Sequence, residues 1–471
     1  MSGAGPSTES RVLRSTVAAY SIQLGRLLVG FFARMAMARL LLPDTHGVYE
    51  EALRIVTIAA AFRDLGLPFH LQRDPRRPYG TVFAATTFLG VAITLLLVLG
   101  APLSAGLAHE LPSVLRVFAV WVLLDGLSVV PKAFFESELK IGRLIAPEVA
   151  RWALIAVCSV GLAWLGWGVW AFVLADLLGA ALYAGWIWMR AWGKIPLRPD
   201  WTLLPGLLRG GRLLFGIWLT YQLVTYIDIY IIQGFYPTTY EVGLYSNAYR
   251  IAFLVATIVY PRALFPTLVQ YSEDRPRFLE YFRLSTVQLL GCQVVASYFL
   301  FFNPERVIHI LNGDRWLDAA PILRVVAFIP FFDQFTVLGG EMLKARHHDR
   351  RWLAISLVNL ASLVGFGIAF TGIWGPAGMG AANYLLIGNL WMAWEVAREL
   401  KERFRVLLRD LALLYLLPLP FFALAAWAAP AASWNRFGLS LAASLVAAGG
   451  LAALYYRPFR RFFGARATAP S

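Results

Sequence analysis

Apolar residues run through the chain in blocks of about twenty, separated by short polar segments, from residue 17 to residue 456. A helix needs about 20 apolar residues to cross the hydrocarbon core of a bilayer, so each block predicts one transmembrane helix. With that ruler the chain has about fourteen spans, near 17–41, 48–68, 81–104, 113–133, 147–166, 168–190, 212–235, 243–267, 283–302, 319–340, 352–373, 377–396, 409–429 and 437–456. Some spans are not uniformly apolar. The eighth opens with "EVGLYSNAYRIAF", residues 241–253, in which Gly243, Asn247 and Arg250 recur every three or four residues and draw a polar stripe down one helical face. Hydrocarbon tolerates such a stripe only where it faces something other than lipid.

Composition agrees with the pattern. The chain is 59% hydrophobic and 15% charged, whereas soluble domains carry about a quarter charged residues. Its net charge of +14 does not call for nucleic acid, because the basic residues are scattered among short segments between apolar blocks. One alternate set of loops holds Arg73, Arg76 and Arg77, Lys140 and Arg143, Arg190, Lys194, Arg198 and Arg209, Arg275 and Arg277, Lys344, Arg346, Arg350 and Arg351, and Lys401, Arg403 and Arg405. The other set is nearly free of Lys and Arg apart from Arg306, Arg315 and Arg436. The basic set and both termini are therefore expected on the cytoplasmic side. The first block is long, contains arginines and lacks a small-residue cleavage site, so no signal peptide is read there. Cys158 and Cys292 both lie inside apolar blocks, which excludes a disulfide framework or zinc site as an expectation.

The chain repeats itself. "GVYEEALRI" at 47–55 matches "GLYSNAYRI" at 243–251, which makes Arg54 and Arg250 equivalent. Carried back to the prolines, the match pairs Pro43 with Pro237 and Arg34 with Asp228. "LRVFAVWVLLD" at 115–125 matches "LRVVAFIPFFD" at 323–333, pairing Arg116 with Arg324 and Asp125 with Asp333. These pairings predict two parallel six-span repeats with two spans left over. The expected organisation is all-α: an N-terminal six-helix lobe over 1–195, a second over 196–400 around a central cavity, and two further spans with a basic tail over 401–471.

Depth counted at 1.5 Å per residue places Arg34, Asp228, Arg54 and Arg250 together, roughly 10–12 Å below the outer surface. Arg26 lies deeper on the first span, on one face with Gln23, Gly30 and Arg34. An unpaired charge in hydrocarbon costs at least about 2.5–3.5 kcal/mol, so these arginines either line a wet cavity or pair internally with Asp228, Glu50 or Glu51. Four arginines against chiefly Asp228 leave positive charge over, which points to an anionic ligand, and the guanidinium fork suits phosphate oxygens. Asp125, Asp333 and Asp176 sit within spans, where a carboxylate either couples an ion gradient or holds a helix contact; both readings stay open. "HHD" at 347–349 reads as a solvated loop, and no nucleophile, base and acid set is present. Trp164, Trp167 and Trp170 read as interfacial anchors.

Through "LLPDTHGVYE", "VGLYSNAYRI" and its run of about fourteen spans the chain resembles the Wzx-like oligosaccharide flippases of the polysaccharide-transport family, which belong to one superfamily with multidrug/toxin extruders and lipid II flippases. The resemblance implies two six-helix lobes that alternate between inward and outward openings. It also implies a cargo of oligosaccharide on undecaprenyl pyrophosphate, moved from the cytoplasmic to the outer leaflet of the bacterial inner membrane. Cavity arginines of the first, second and eighth spans then fall on Arg26 or Arg34, Arg54 and Arg250, with Asn247 beside them and Asp228, Asp125 and Asp333 as counter-ions or coupling groups. No cofactor is implied, and coupling to H+, Na+ or the membrane potential stays open. Expected partners are the lipid-linked saccharide, membrane lipids, and a polysaccharide polymerase with its chain-length machinery. The alternatives are a lipid II flippase, a drug or toxin extruder with a carboxylate-rich cavity, an integral-membrane glycan polymerase or glycosyltransferase, and a non-transporting scaffold.

Overall fold

The computed structural model describes residues 29–464 except 34, 69, 70, 72–75, 107, 139, 141, 237, 260–263, 265–267, 269, 270, 272 and 347. Arg26 and Arg34, expected on the first span, lie outside the described residues, as does Pro237. The described chain is helical throughout, without a strand. In chain order the first helices are α1 (Pro43–Asp64), α2 (Tyr79–Gly100), α3 (Leu111–Phe118), α4 (Val120–Ser137), α5 (Gly142–Trp164), α6 (Trp170–Ala191), α7 (Leu204–Phe235) and α8 (Thr239–Val259). There follow α9 (Arg275–Phe302), α10 (Pro304–Asn312), α11 (Ala320–Val326), α12 (Ile329–Ala345), α13 (Asp349–Ala382) and α14 (Ile387–Leu400). The last three are α15 (Glu402–Leu416), α16 (Leu419–Ala428) and α17 (Trp434–Gly464).

Among the described residues nine helices are long and apolar enough to cross a bilayer, or ten if the bent pair Asp314–Val326 and Ile329–Ala345 forms one span. One of the nine, Asp349–Leu400, has 52 residues. At 1.5 Å each that is about 78 Å, more than twice the hydrocarbon thickness, so the stretch holds two passes. The helix breaks where Gly375 takes φ 64° ahead of Pro376. α1 and α8 fall outside this apolar set. Their interiors carry Glu50, Glu51 and Arg54, and Ser246, Asn247 and Arg250. Helices of that kind are shielded from lipid by protein or water.

Contacts divide the chain into two compact units, Met1–Gly243 and Leu244–Ser471. This partition groups residues by packing, whereas the boundary at 195/196 groups them by repeat. In the first unit two apolar cores are stacked along the helices. One gathers Val48, Tyr49, Ala52 and Val56 of α1 with Phe118, Val122 and Phe172. The other gathers Val82, Val130, Phe134, Phe135, Tyr183 and Ile187. In the second unit α9 is the axis: 72% of its apolar window is buried, against at most 44% in any other span. The helices beyond the expected repeats are built onto it. Asp410 of α15 accepts from Arg283 Nε at 2.7 Å, Tyr298 donates to the carbonyl of Tyr415 at 2.8 Å, and Phe422 of α16 stacks on Tyr298.

The sequence repeat has a structural signature. A Cβ on Gly47 would stand 1.9 Å from the carbonyl oxygen of Thr239, and one on Gly243 would stand 2.1 Å from that of Pro43. Gly47 and Gly243 are the paired glycines of the repeat, and Pro43 and Thr239 are the first residues of α1 and α8. Each glycine therefore admits the opening residue of the other helix. In this register Pro43 is matched by Thr239 rather than by Pro237.

Because the obstacle on each side is backbone, neither contact can yield by turning a side chain. Gly47→Ala and Gly243→Ala are each expected to cost about 1–3 kcal/mol and to lower the thermal midpoint of the detergent-solubilised protein. Gly161→Ala, where nothing lies within 4 Å of the added carbon, should leave it unchanged or slightly raised.

Candidate functional site

α1 is set up by its ends. Pro43 pre-forms its first turn, Asp44 sits at the positive end of its dipole and Arg63 at the negative end. Between them His46, Tyr49, Glu50, Glu51 and Arg54 are all buried, with Arg54 only 1% exposed. Arg54 is matched: its Nη1 donates to Glu51 Oε1 at 3.3 Å across one helical turn. Gln233 of α7, with its amide nitrogen turned toward Glu51, donates to both carboxylate oxygens at 3.1 and 3.0 Å. A fully buried carboxylate is thus held from two helices, as its desolvation requires. Asp228, one turn and a half earlier on α7, is buried and accepts from the backbone N–H of Ile229 at 2.8 Å. Tyr49 stacks on Phe172 with ring centres 4.5 Å apart and donates its hydroxyl to Asp176 at 2.6 Å.

Glu51 is therefore the anion of Arg54, one of the internal partners the sequence offered. The sequence-level count of cations against anions changes accordingly, because Arg54 has Glu51 as its partner. Arg250 and Asn247 are half-buried on α8, in the second unit. The other side of that helix carries an aromatic ladder, with Tyr245 and Tyr249 5.8 Å apart and Tyr249 stacked on Phe253 at 4.4 Å.

A second charged group lies between the two cores of the first unit. Arg63 donates through Nε to Asp64 at 2.8 Å, through Nη1 to the carbonyl of Val122 at 2.5 Å, and through Nη2 to Asp125 at 3.3 Å. Arg151 of α5 reaches the other oxygen of Asp125 at 3.7 Å. Gly90 and Gly126 make room for the Arg63 side chain, whose Cδ would lie 2.9 Å from a Cβ on Gly126. Asp125 is thus engaged by two guanidinium groups that join α1, α4 and α5. Its repeat partner Asp333 differs: it is half-buried on α12, with no ion-pair or hydrogen-bond partner among the described residues. In the same register Arg151 falls on Asn359, which donates to Asn389 at 2.9 Å, and Thr336 donates to the same Asn389 oxygen at 2.8 Å. Neutral amides and a hydroxyl stand in one unit where a charged network stands in the other.

The sequence reading did not single out Arg63, Asp64, Arg151 or Gln233. Arg63 lies close enough to the Arg73–Arg77 loop to pass for a cytoplasmic flank, although a bilayer-depth arginine beside Asp64 was a usable signal. The Glu51–Arg54 spacing of three was equally visible. Gln233 was not, since only tertiary packing brings α7 against α1.

Comparison with known proteins follows from this geometry. The family model described as "Polysaccharide biosynthesis protein" matches residues 36–321. The chain belongs to that family. It is similar to the succinoglycan biosynthesis transport protein ExoT of Rhizobium meliloti (strain 1021), 27% identical over 311 residues, covering 62% of this chain and 60% of ExoT. It is also similar to the teichuronic acid biosynthesis protein TuaB of Bacillus subtilis (strain 168), 22% identical over 358 residues, 72% of this chain and 73% of TuaB. In fold it resembles the lipid II flippase MurJ in an inward closed conformation, with a TM-score of 0.70 at 15% identity over 95% of this chain and 99% of that one. An inward-facing multidrug resistance MATE transporter of the MOP superfamily gives a TM-score of 0.64 at 15% identity, over 81% of this chain and 99% of that one. The family member is thus an all-α, multi-pass membrane protein with the MOP fold.

The Arg63 network yields a contrast between repeat partners. Asp125→Asn removes a carboxylate shared by two guanidinium groups, and Arg63→Leu strips Asp64 of its arginine and leaves Asp125 with Arg151 alone; each should cost about 3–5 kcal/mol, read as loss of thermal stability in detergent. Asp333→Asn removes a carboxylate with no cation attached, and should leave stability unchanged or raise it.

Proposed function

We propose that this chain is a flippase that moves an undecaprenyl-pyrophosphate-linked oligosaccharide from the cytoplasmic to the outer leaflet of the bacterial inner membrane by alternating access. The observation that carries the reading is the conjunction of a polysaccharide-biosynthesis family match with the fold of MOP transporters. ExoT is named a transport protein of succinoglycan biosynthesis, and MurJ is named a lipid II flippase. A carrier of saccharide on the same kind of lipid fits both. The basic loops face the cytoplasm in this reading, with both termini on that side.

Arg54 and Arg250, with Asn247 beside the latter and Arg26 or Arg34 on the first span, engage the diphosphate. Arg54 can do so because Glu51 has a second partner. When the guanidinium turns toward phosphate oxygens, the two hydrogen bonds from Gln233 keep the buried Glu51 carboxylate satisfied. Without them the exchange would leave an orphaned charge, at a cost of several kcal/mol. The cycle requires the diphosphate to be held more tightly in one state than in the other, since a ligand indifferent to both shifts neither. Asp333, unpaired within its unit, is the acidic group best placed to take a proton or Na+ as the driving ion. The membrane potential would add about 2.3 kcal/mol per charge per 100 mV if net charge moves. A polysaccharide polymerase and chain-length machinery are the expected acceptors of the cargo.

Lipid II is the second reading, favoured by the resemblance to MurJ over nearly the whole chain. The same assay separates the two. Purified protein in liposomes should exchange a labelled undecaprenyl-pyrophosphate oligosaccharide between leaflets well above empty vesicles, and faster than labelled lipid II. Exchange at the empty-vesicle rate would remove the flippase reading. Arg54→Ala and Arg250→Ala should each slow exchange at least tenfold, the loss of one charge-assisted contact of about 1.5–3 kcal/mol. Gln233→Leu should slow it too while leaving Arg54 in place.

A further inference from the structure

A separate cationic cavity lies at one end of the second unit, where α12, α13 and α14 meet. It has a volume of about 160 Å3 and is lined by Arg346, His348, Arg351, Glu395, Arg398 and Glu399, among others. Glu395 is engaged by Arg351 at 3.3 Å. Glu399 is shared by Arg346 at 2.9 Å and by Arg275 at 3.7 Å. Arg398 has no carboxylate partner among the described residues; its guanidinium lies over Trp394, 5.6 Å from the ring centre. Three guanidinium groups against two carboxylates leave positive charge at the cavity wall. α13 also begins here at Asp349, and its N-cap residue, His348, makes no side-chain capping hydrogen bond. The cavity is too small for a saccharide, since pockets for drug-sized ligands run to about 300–1,000 Å3. A phosphate group with a few waters fits.

The neighbouring helix face says what carries the phosphate. On α14, Ile387, Leu390 and Trp394 are 50%, 73% and 56% exposed and follow one another at spacings of three and four, ending at Arg398 one turn further on. An apolar strip therefore runs along α14 to the cation and ends in Trp394, a residue type enriched where helices cross the membrane interface. A free phosphate has no use for that strip. A diacyl phosphate does.

We propose that this cavity binds the phosphate of an anionic phospholipid whose acyl chains lie along the Ile387–Leu390–Trp394 face of α14. The assignment is independent of the transport reading and of which leaflet this end of the bundle faces. Basic pockets among transmembrane helices take phospholipid headgroups by the same electrostatics.

The test uses the full-length protein in a neutral detergent, titrated with phosphatidylglycerol and followed by native mass spectrometry. Phosphatidylglycerol should bind saturably and phosphatidylcholine should not. Arg398→Gln should weaken the phosphatidylglycerol affinity about fivefold, the loss of one cation near the headgroup. Because Arg398 is exposed and bound to no carboxylate, this variant keeps its fold. Arg350→Gln, an exposed charge in the same region that does not line the cavity, should leave the affinity unchanged. Leu390→Ala with Trp394→Ala should also weaken it. Equal weakening by Arg350→Gln and Arg398→Gln would reduce the effect to general surface charge and overturn the site. Displacement of the lipid by inorganic phosphate at equal concentration would assign the cavity to free phosphate and overturn the lipid. Equal binding of phosphatidylcholine would overturn its selectivity for an anion.

Discussion

A charge in hydrocarbon must be answered by another charge, by hydrogen bonds or by water, and that constraint organises the polar interior of this protein. Glu51 is the clearest case. It has no exposed surface, so its carboxylate is tolerated only because Arg54 supplies a cation and Gln233 supplies two N–H donors. The Gln233 hydrogen bonds fix α1 against α7. They also set the condition under which Arg54 can take an outside anion, because the carboxylate it leaves behind stays hydrogen-bonded. Stability and a proposed binding role are thus two consequences of one arrangement.

The second organising feature is duplication. The repeat was legible as matched Gly, Tyr, Ala, Arg and Ile in two segments, and the structure gives that match a physical reason. Gly47 and Gly243 are kept small because each receives the first residue of the opposite helix, carbonyl oxygen foremost. The arginine of each motif lies seven residues on, two turns deeper.

What the sequence disclosed and what it hid divide along a physical line. The all-α, multi-pass architecture follows from local composition, and so does the polar stripe of α8, whereas the described residues show nine or ten qualifying spans. The helix break at Gly375–Pro376 was marked by its residue types. Partners across helices were not. Arg63 resembled a loop-flanking cation until α4 placed Asp125 and the Val122 carbonyl around it, and Gln233 had no periodicity to announce its contact with Glu51. The integration of the C-terminal helices was equally hidden. Asp410 sits next to Arg409 in a basic stretch, yet it points inward to Arg283 of α9, so these helices share a core with the second unit and are not a loose addition.

The two repeats have diverged most at their carboxylates. Asp125 is clamped by Arg63 and Arg151, and ion pairs of that kind resist rearrangement because breaking one strands the other charge. Asp333 occupies the matching position with Asn359 where the arginine would be, and with neutral hydrogen bonds from Asn359 and Thr336 converging on Asn389 nearby. A carboxylate without a cation can take up a proton or a small cation without first breaking an internal ion pair. The clamped site is suited to rigidity and the unclamped one to ion exchange. If a driving ion enters this protein through one of the two repeat-related aspartates, the absence of an ion pair at Asp333 favours it over Asp125, which two guanidinium groups already hold.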